Sequence, residues 1–275
     1  MKQALFLFIL LLTWGAPCAP GPWADAAGGA VSADLPLPPA SREAIERINA
    51  SYYSLSAQQV LALQFTVTSS EKSWALQQLR SQGRRSLAEG LAQFRLTAVC
   101  LLSTDRVRLS AVNKSTLEDA AAVLEALLAD TQQLLQNFWT VYRPYVTRLL
   151  DPDALRLQEL LESGTLVTVR AQDRQTRARK KYVFDQRSQL RLIETVDQTG
   201  AVSRELPTFQ ESESPYLVTD IQRIGVASTE EYVIRYQSVA GLPVPAGFTF
   251  TGPGLTREVK LDFEAIRLRA RKTLP

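Results

Sequence analysis

The sequence predicts an α+β fold, in which a curved antiparallel sheet is covered by a long helix and by shorter helices. The first observation is that apolar residues between positions 115 and 149 recur with the 4–3 spacing that places them on one face of a helix. The second is that most of the remaining sequence alternates apolar and polar residues, as strands with one buried face do. A sheet with one apolar face must bury it, and the long amphipathic helix is the element available to cover it.

The long helix is predicted to span Thr116 to Arg143. Ser115 and Glu118 have the spacing of a capping box, which marks a helix start, and Pro144 is predicted to end or kink the helix near Arg143. Polar residues occupy the side opposite the apolar ones, so one side is expected to be buried and the other exposed. The apolar face consists of Leu117, Ala121, Leu124, Leu128, Leu135, Phe138, Tyr142, Tyr145 and Leu149.

Shorter elements surround this helix in the sequence. One short helix is predicted at residues 42–52 with Ser41 as its cap, and another at 154–161 after the turn Asp151-Pro152-Asp153. Residues 71–91 fit either a strand or a short helix. Strands are predicted at 61–68, 94–98 and 106–111 before the long helix, and at 165–171, 179–185, 189–197, 216–224, 231–239, 246–251 and 257–268 after it.

The last of these strands carries an irregularity. Its apolar residues alternate regularly as far as Phe263, and then the apolar positions shift to Ile266 and Leu268. An extra residue in one strand of an antiparallel pair produces this kind of shift, because it rotates the following side chains onto the other face. The sequence therefore predicts a β-bulge just after Phe263.

The N-terminus has the pattern of a cleaved secretory signal over residues 1–26. Lys2 supplies the charged start, and an apolar run from Ala4 to Leu12 follows. That run is too short to span a bilayer, and Ala24-Asp25-Ala26 is the best small-x-small cleavage site. These features predict an exported protein located in the periplasm.

The two cysteines and the composition of residues 27–40 indicate how the mature chain is organised. Lipid anchoring through Cys18 is disfavoured because Pro17 precedes that residue. Cleavage after residue 26 leaves Cys100 as the only cysteine, so no internal disulfide is expected, and its apolar neighbours predict a buried thiol. Residues 27–40 are small and proline-rich and are predicted to form a flexible lead-in to a single domain over 41–275.

The residue content disfavours an enzyme. The 275-residue chain has no histidine, which removes serine–histidine and cysteine–histidine nucleophile systems and the commonest zinc sites. It also lacks a phosphate-binding loop and a glycine-rich dinucleotide fingerprint. Its formal charge of +3 is too small to argue for nucleic acid. We therefore expect a non-enzymatic protein without a cofactor or a metal.

The densest charge cluster falls at a predicted strand–turn–strand and has two interpretations. It is either a solvated hairpin tip or a contact for acidic lipid headgroups or an acidic partner. The cluster lacks interleaved aromatic residues, so stacking on nucleic-acid bases is a poor fit. The cluster starts at Arg170, and the residues expected to make such a contact are Arg174, Arg177, Arg179, Lys180 and Lys181.

From Lys181 onward the chain resembles the periplasmic lipoprotein-carrier superfamily, which is LolA/LolB-like and includes outer-membrane lipoprotein-sorting proteins. The resemblance implies an unclosed β-barrel wrapped over helices, with acyl chains held in an apolar interior. The segments that carry it are Tyr182-Val183-Phe184-Asp185, Ser188-Gln189-Leu190, Tyr232 to Tyr236, Gly241-Leu242-Pro243-Val244-Pro245, Phe248-Thr249-Phe250 and a final Val-x-Leu-x-Phe-x-x-Ile strand.

Two hypotheses of function follow. In the first, the protein binds a lipid or the acyl chains of a lipoprotein in an apolar cavity between sheet and helix. In the second, it is a cell-envelope interaction or assembly protein of the same fold, with the cavity filled by side chains. The candidate cavity residues are Phe138, Trp139, Tyr142, Tyr232, Ile234, Tyr236, Val259, Leu261 and Phe263.

Overall fold

The computed structural model describes residues 38–112, 121–210 and 215–270. These residues form an α+β fold with one twelve-stranded antiparallel sheet and four helices, which confirms the predicted class. The predicted signal segment with Cys18, most of the lead-in and the capping box of Ser115 and Glu118 lie outside the described residues.

The elements follow one another in a simple order along the chain. The helices are α1 (Pro39–Ala50), α2 (Ser70–Ser81), α3 (Arg85–Gln93) and α4 (Ala121–Val146). The strands are β1 (Val60–Ser69), β2 (Arg95–Leu101), β3 (Val107–Val112), β4 (Leu155–Ser163), β5 (Leu166–Asp173), β6 (Arg179–Asp185), β7 (Leu190–Val196), β8 (Val202–Phe209), β9 (Val218–Ile224), β10 (Thr229–Val239), β11 (Leu242–Thr251) and β12 (Val259–Ala270).

The sheet is a long meander joined to a shorter one. Its strand order is β3-β2-β1-β12-β11-β10-β9-β8-β7-β6-β5-β4, so the last strand pairs with the first. This arrangement leaves β3 and β4 as the two edges, and the sheet is not closed. Helix α4 is the segment that connects these two edge strands in the sequence.

The predicted bulge in β12 is present. Gln64 of β1 pairs with Arg267 and Thr66 pairs with Glu264, so two residues of β12 lie opposite one residue of β1. Ala265, the first extra residue, has a φ of 51°, the left-handed conformation found in such bulges. The bulge brings Leu268 directly opposite the buried Leu63.

Residues 154–161 were predicted as a short helix, and this prediction is wrong, because Leu155–Ser163 form strand β4. The pairing of β4 with β5 shifts by one residue between Leu157 and Glu159. This irregularity moves the apolar positions from an i, i+2 spacing to an i, i+3 spacing, which imitates the period of a helix.

Strand β8 was missing from the predicted strands. Pro207 lies within it, and proline removes a backbone donor, so the segment does not look like a central strand. In the structure only residues 202–205 of β8 pair with β7, so Pro207 lies beyond that ladder and faces Ile221 of β9 alone.

The structure resolves one ambiguous segment and moves two predicted helix boundaries. The ambiguous residues 71–91 fall mostly in helices α2 and α3. Helix α4 continues past Pro144 to Val146, because a proline in the last turn removes one hydrogen bond only and the following residues Tyr145 and Val146 are fully buried. Helix α1 begins at Pro39, so Ser41 is not its cap.

Edge strand β3 is protected by side chains of α4. Gln132 accepts a hydrogen bond from the Leu109 N–H at 3.1 Å and donates to the Val107 carbonyl at 3.0 Å. Gln136, one turn later, accepts from the Val107 N–H at 3.0 Å and donates to the Asp105 carbonyl. The two amides thus occupy backbone groups that an exposed edge would offer to another strand.

We expect the double substitution Gln132→Ala and Gln136→Ala to lower the free energy of unfolding by about 1 kcal/mol per lost hydrogen bond. It also exposes the edge of β3, so the variant should associate more strongly with itself. Urea unfolding and light scattering measure the two effects.

Gln133→Ala is the matched control, since the Gln133 side chain is exposed and its hydrogen bond within the described part of the chain is to Asn137 on the same helix. Equal stability and scattering for the control and the double variant would show that the two amides do not protect the edge.

Candidate functional site

The candidate cavity residues form the centre of the core. Eight of the nine are buried and Tyr236 is partly buried. Phe138 of α4 has ring neighbours on three strands, with ring centres 6.1 Å from Tyr232 and 6.3 Å from Phe263. Its closest partner is Phe248 of β11, at 4.1 Å with nearly parallel rings, although Phe248 was not among the predicted residues.

The strand register explains why these residues meet. Ile234 of β10 pairs with Phe248 of β11, and Phe248 pairs with Leu261 of β12. Directly opposite residues project from the same face of a sheet, so the three side chains form a continuous apolar row. Tyr232 and Phe263, two residues away on their strands, extend the row on that face. We call this the inner face of the sheet.

Trp139 and Tyr142 have different surroundings. The Trp139 indole donates to the carbonyls of Leu101 and Thr104 at 3.3 and 3.2 Å, so it is directed at the turn between β2 and β3. The Tyr142 ring lies 5.0 Å from the Phe138 ring and 6.5 Å from the Tyr236 ring. Eight of the nine residues therefore pack in one core, and Val259 is buried outside that cluster, while Trp139 anchors a different part of the sheet from the rest.

The centre of this core is filled. The Phe138 and Phe248 rings, at 4.1 Å, are in van der Waals contact, and the Phe65 and Phe263 rings are also 4.1 Å apart. No acyl chain fits between the Phe138 and Phe248 rings while α4 keeps this position. None of the nine candidates lines either of the two cavities described next.

The larger cavity, of about 680 Å³, lies between α1 and edge strand β4. It is lined by charged side chains of α1, together with Leu160 and Glu162 of β4. The smaller one, of about 290 Å³, lies where β2 begins and includes Lys72, Arg95 and Glu264. Burial lowers the pKa of Lys72 and the nearby Arg95 lowers it further. The Lys72 ammonium donates to the Phe94 carbonyl at 2.5 Å, so its position is already determined by the backbone.

Several buried tyrosine hydroxyls have no hydrogen-bond partner among the described residues. They belong to Tyr53, Tyr142, Tyr145 and Tyr232, whereas the Tyr236 hydroxyl donates to the Val218 carbonyl at 2.6 Å. Burial raises the pKa of all four, and that of Tyr53 reaches about 12. A buried hydroxyl without a partner costs about 1–3 kcal/mol, so the interior contains polar groups that packing alone does not satisfy.

A row of alternating charges crosses the inner face beside this core. Glu205 of β8 pairs with Arg223 of β9, and Arg223 pairs with Glu230 of β10, with 4.0 Å between the Arg223 guanidinium and the Glu230 carboxylate. Burial raises the pKa of Glu205, while Arg223 and Lys180 act in the opposite direction. The two carboxylates share the single cation Arg223, so the row carries one negative charge in excess. Sequence reasoning missed it because β8 was missed.

The basic cluster lies at the hairpin of β5 and β6, as the strand–turn–strand prediction expected. Arg170 is paired with Glu159 at 2.9 Å and Lys180 with Asp173 at 3.2 Å. The Arg174 guanidinium donates to the Pro152 carbonyl at 3.2 Å. Three further cations are exposed and form no ion pair among the described residues, namely Arg177, Arg179 and Lys181.

The described residues contain no cluster of cysteine, aspartate and glutamate that could hold a metal ion. No helix in the same ranges is long and apolar enough to cross a membrane. Comparison with known proteins finds no matching protein family, no matching curated protein and no matching solved structure.

The raised pKa of Asp220 predicts that the free energy of unfolding depends on pH. Burial and the neighbouring Glu231 raise the pKa of Asp220 to about 6, from an ordinary value of 3.8. The folded state therefore binds more protons than the unfolded state between these values, and its stability falls as the pH rises through them. Asp220→Asn should remove this loss, so the stability difference between variant and parent should grow from pH 4 to 6 and then level off.

Urea unfolding across this pH range measures the difference. Asp197→Asn is the contrast, because hydrogen bonds from Thr199 and from backbone N–H groups lower the pKa of Asp197. Its contribution is present above its ordinary pKa of 3.8 and is lost as the pH falls below that value, so this variant should be less stable than the parent throughout pH 4 to 6, and the difference should shrink only at lower pH. The same pH profile for both variants would contradict the assignment.

Proposed function

We propose that this chain is a non-enzymatic, exported cell-envelope protein that acts by contact with another envelope component. In this proposal it has a LolA/LolB-like unclosed sheet, α4 covers the inner face, and the interior is filled by the protein's own side chains. The observation that carries the proposal is the contact of the Phe138 ring with the Phe248 ring, at the position where a carrier would hold its ligand.

The free energies of burying an acyl chain and of exposing the side chains of α4 favour a filled interior over lipid carriage. A chain of about 14 methylenes gains about 11 kcal/mol on entering an apolar site, at about 0.8 kcal/mol each. To admit it, α4 must leave the sheet and expose buried side chains that are each worth about 1.5–3 kcal/mol. Seven such side chains lie in the C-terminal half of α4, so the loss equals or exceeds the gain; they are Leu135, Phe138, Trp139, Val141, Tyr142, Tyr145 and Val146.

Lipid or lipoprotein carriage is the second candidate, and the unpaired tyrosine hydroxyls favour it. The hydroxyls of Tyr142 and Tyr145 of α4 and of Tyr232 of β10 have no partner in good hydrogen-bond geometry among the described residues, although Tyr236 lies near Tyr142 and Glu230 lies near Tyr232. If α4 moved away, these hydroxyls would reach water and recover about 1–3 kcal/mol each. This recovered free energy reduces the net cost of moving α4 away from the sheet. Carriage would therefore proceed through a displaced α4 rather than through a permanent cavity.

The absence of histidine and of nucleotide-binding motifs from the sequence supports the non-enzymatic part of the proposal. The signal pattern of residues 1–26 supports export. Export and the lack of enzymatic activity are both independent of whether the interior is filled.

The test compares the purified parent with Phe138→Ala and with Thr140→Ala, an exposed position on the same helix. We expect no co-purifying amphiphile in native mass spectrometry of the parent, and no fluorescence increase with N-phenylnaphthylamine. Phe138→Ala should lose about 3–5 kcal/mol of stability and leave a void, so this variant alone should take up the probe.

Thr140→Ala should behave like the parent, since its side chain does not face the core. An acyl chain extracted from the purified parent, or probe uptake by the parent equal to that of Phe138→Ala, would exclude the filled interior and support carriage.

A further inference from the structure

The face of the sheet turned away from the core carries features that the filled interior does not use. Val169 of β5, Tyr182 of β6 and Ile193 of β7 are directly opposite one another and buried. Because side chains alternate across a strand, the residues on either side of these three project from the opposite face. We call this second face, over strands β4 to β8, the outer face.

An apolar row crosses the outer face. Leu161 pairs with Thr168, Thr168 with Val183, and Val183 with Leu192, so four neighbouring strands contribute one side chain each. Leu161 is 42% exposed, and Leu166, which also projects from this face, is 43% exposed. Large apolar side chains this exposed and this close together form a patch rather than isolated surface residues.

The next row on the outer face is charged, and its pairing leaves a positive excess. Glu159 and Arg170 form one ion pair, and Glu194 and Arg204 form another at 3.0 Å. Lys181 lies between these pairs in the row, opposite Arg170 and Glu194, and makes no ion pair among the described residues. Arg179 projects from the same face, and Arg177 lies in the adjoining turn.

We infer that the outer face of β4 to β8 docks on an anionic membrane surface, with the leucines at the level of the headgroups and the unpaired cations on the lipid phosphates. Two features of the patch favour lipid over protein. Lysine is depleted at the cores of protein interfaces, whereas here Lys181 adjoins the apolar row. Anionic headgroups accept separate, flexible cations without matching partners. This inference rests on the proposed envelope function and names the component that is contacted.

The test measures sedimentation of the full chain with vesicles of phosphatidylglycerol and phosphatidylcholine, compared with phosphatidylcholine alone. We expect binding to the anionic vesicles only, and at least tenfold weaker binding in 0.5 M salt, since salt screens surface charges. Every variant keeps residues 4–12, so any membrane affinity of that apolar run is the same in all of them.

Three variants locate the contact. The triple variant Arg177→Glu, Arg179→Glu and Lys181→Glu should bind anionic vesicles at least tenfold more weakly. Leu161→Gln with Leu166→Gln should weaken binding severalfold and leave its salt dependence unchanged. The control reverses the same number of exposed charges elsewhere, with Arg84→Glu, Arg85→Glu and Arg106→Glu, and should bind like the parent. Thermal unfolding verifies that each variant is folded.

The outcomes separate this inference from the proposed function. No vesicle binding by the parent, or an equal loss in both triple variants, overturns the inference while the interior remains as proposed. Loss of a protein partner on substitution of the outer face, without vesicle binding by the parent, assigns the surface to a protein and also overturns the inference. A bound acyl chain in the purified protein contradicts the filled interior. The vesicle comparison then still decides whether the outer face binds anionic membranes.

Discussion

The contact of Phe138 with the rings of β10, β11 and β12 is the interaction on which the rest of the structure depends. One side chain of α4 meets Tyr232, Phe248 and Phe263 from three consecutive strands of the sheet. Aromatic pairs at such distances contribute about 0.5–1.5 kcal/mol each beyond the area that they bury. Because the strands are already in register, this contact determines where α4 lies and places the Phe138 ring directly against the Phe248 ring.

In this position α4 also protects one edge of the unclosed sheet. Gln132 and Gln136 lie six and two residues before Phe138 on α4, and they reach the backbone of edge strand β3. At the opposite edge, β4, the strand pairing is interrupted by a bulge between Leu157 and Glu159. Bulges and side-chain cover are two established ways of preventing edge-to-edge association.

Charge is distributed differently on the two faces of the sheet. On the inner face, Glu205 and Glu230 lie on either side of Arg223 on adjacent strands, which leaves one negative charge in excess. On the outer face, the pairing of Glu159 with Arg170 and of Glu194 with Arg204 leaves Lys181 without a partner among the described residues. Uncompensated cations beside exposed leucines are suited to an external contact.

Elements with a regular pattern were predictable from the sequence alone: the α+β class, strand β6 over 179–185, and the bulge after Phe263 all follow from the spacing of apolar residues. Strand β4 was mistaken for a helix and β8 was missed, because a bulge and Pro207 interrupt the local period. Only the tertiary structure decided that Phe248 fills the space beside Phe138 and that Glu205 faces Arg223. The physical reason is that periodicity specifies which face a side chain occupies, whereas register and the volume between elements depend on residues far apart in the chain.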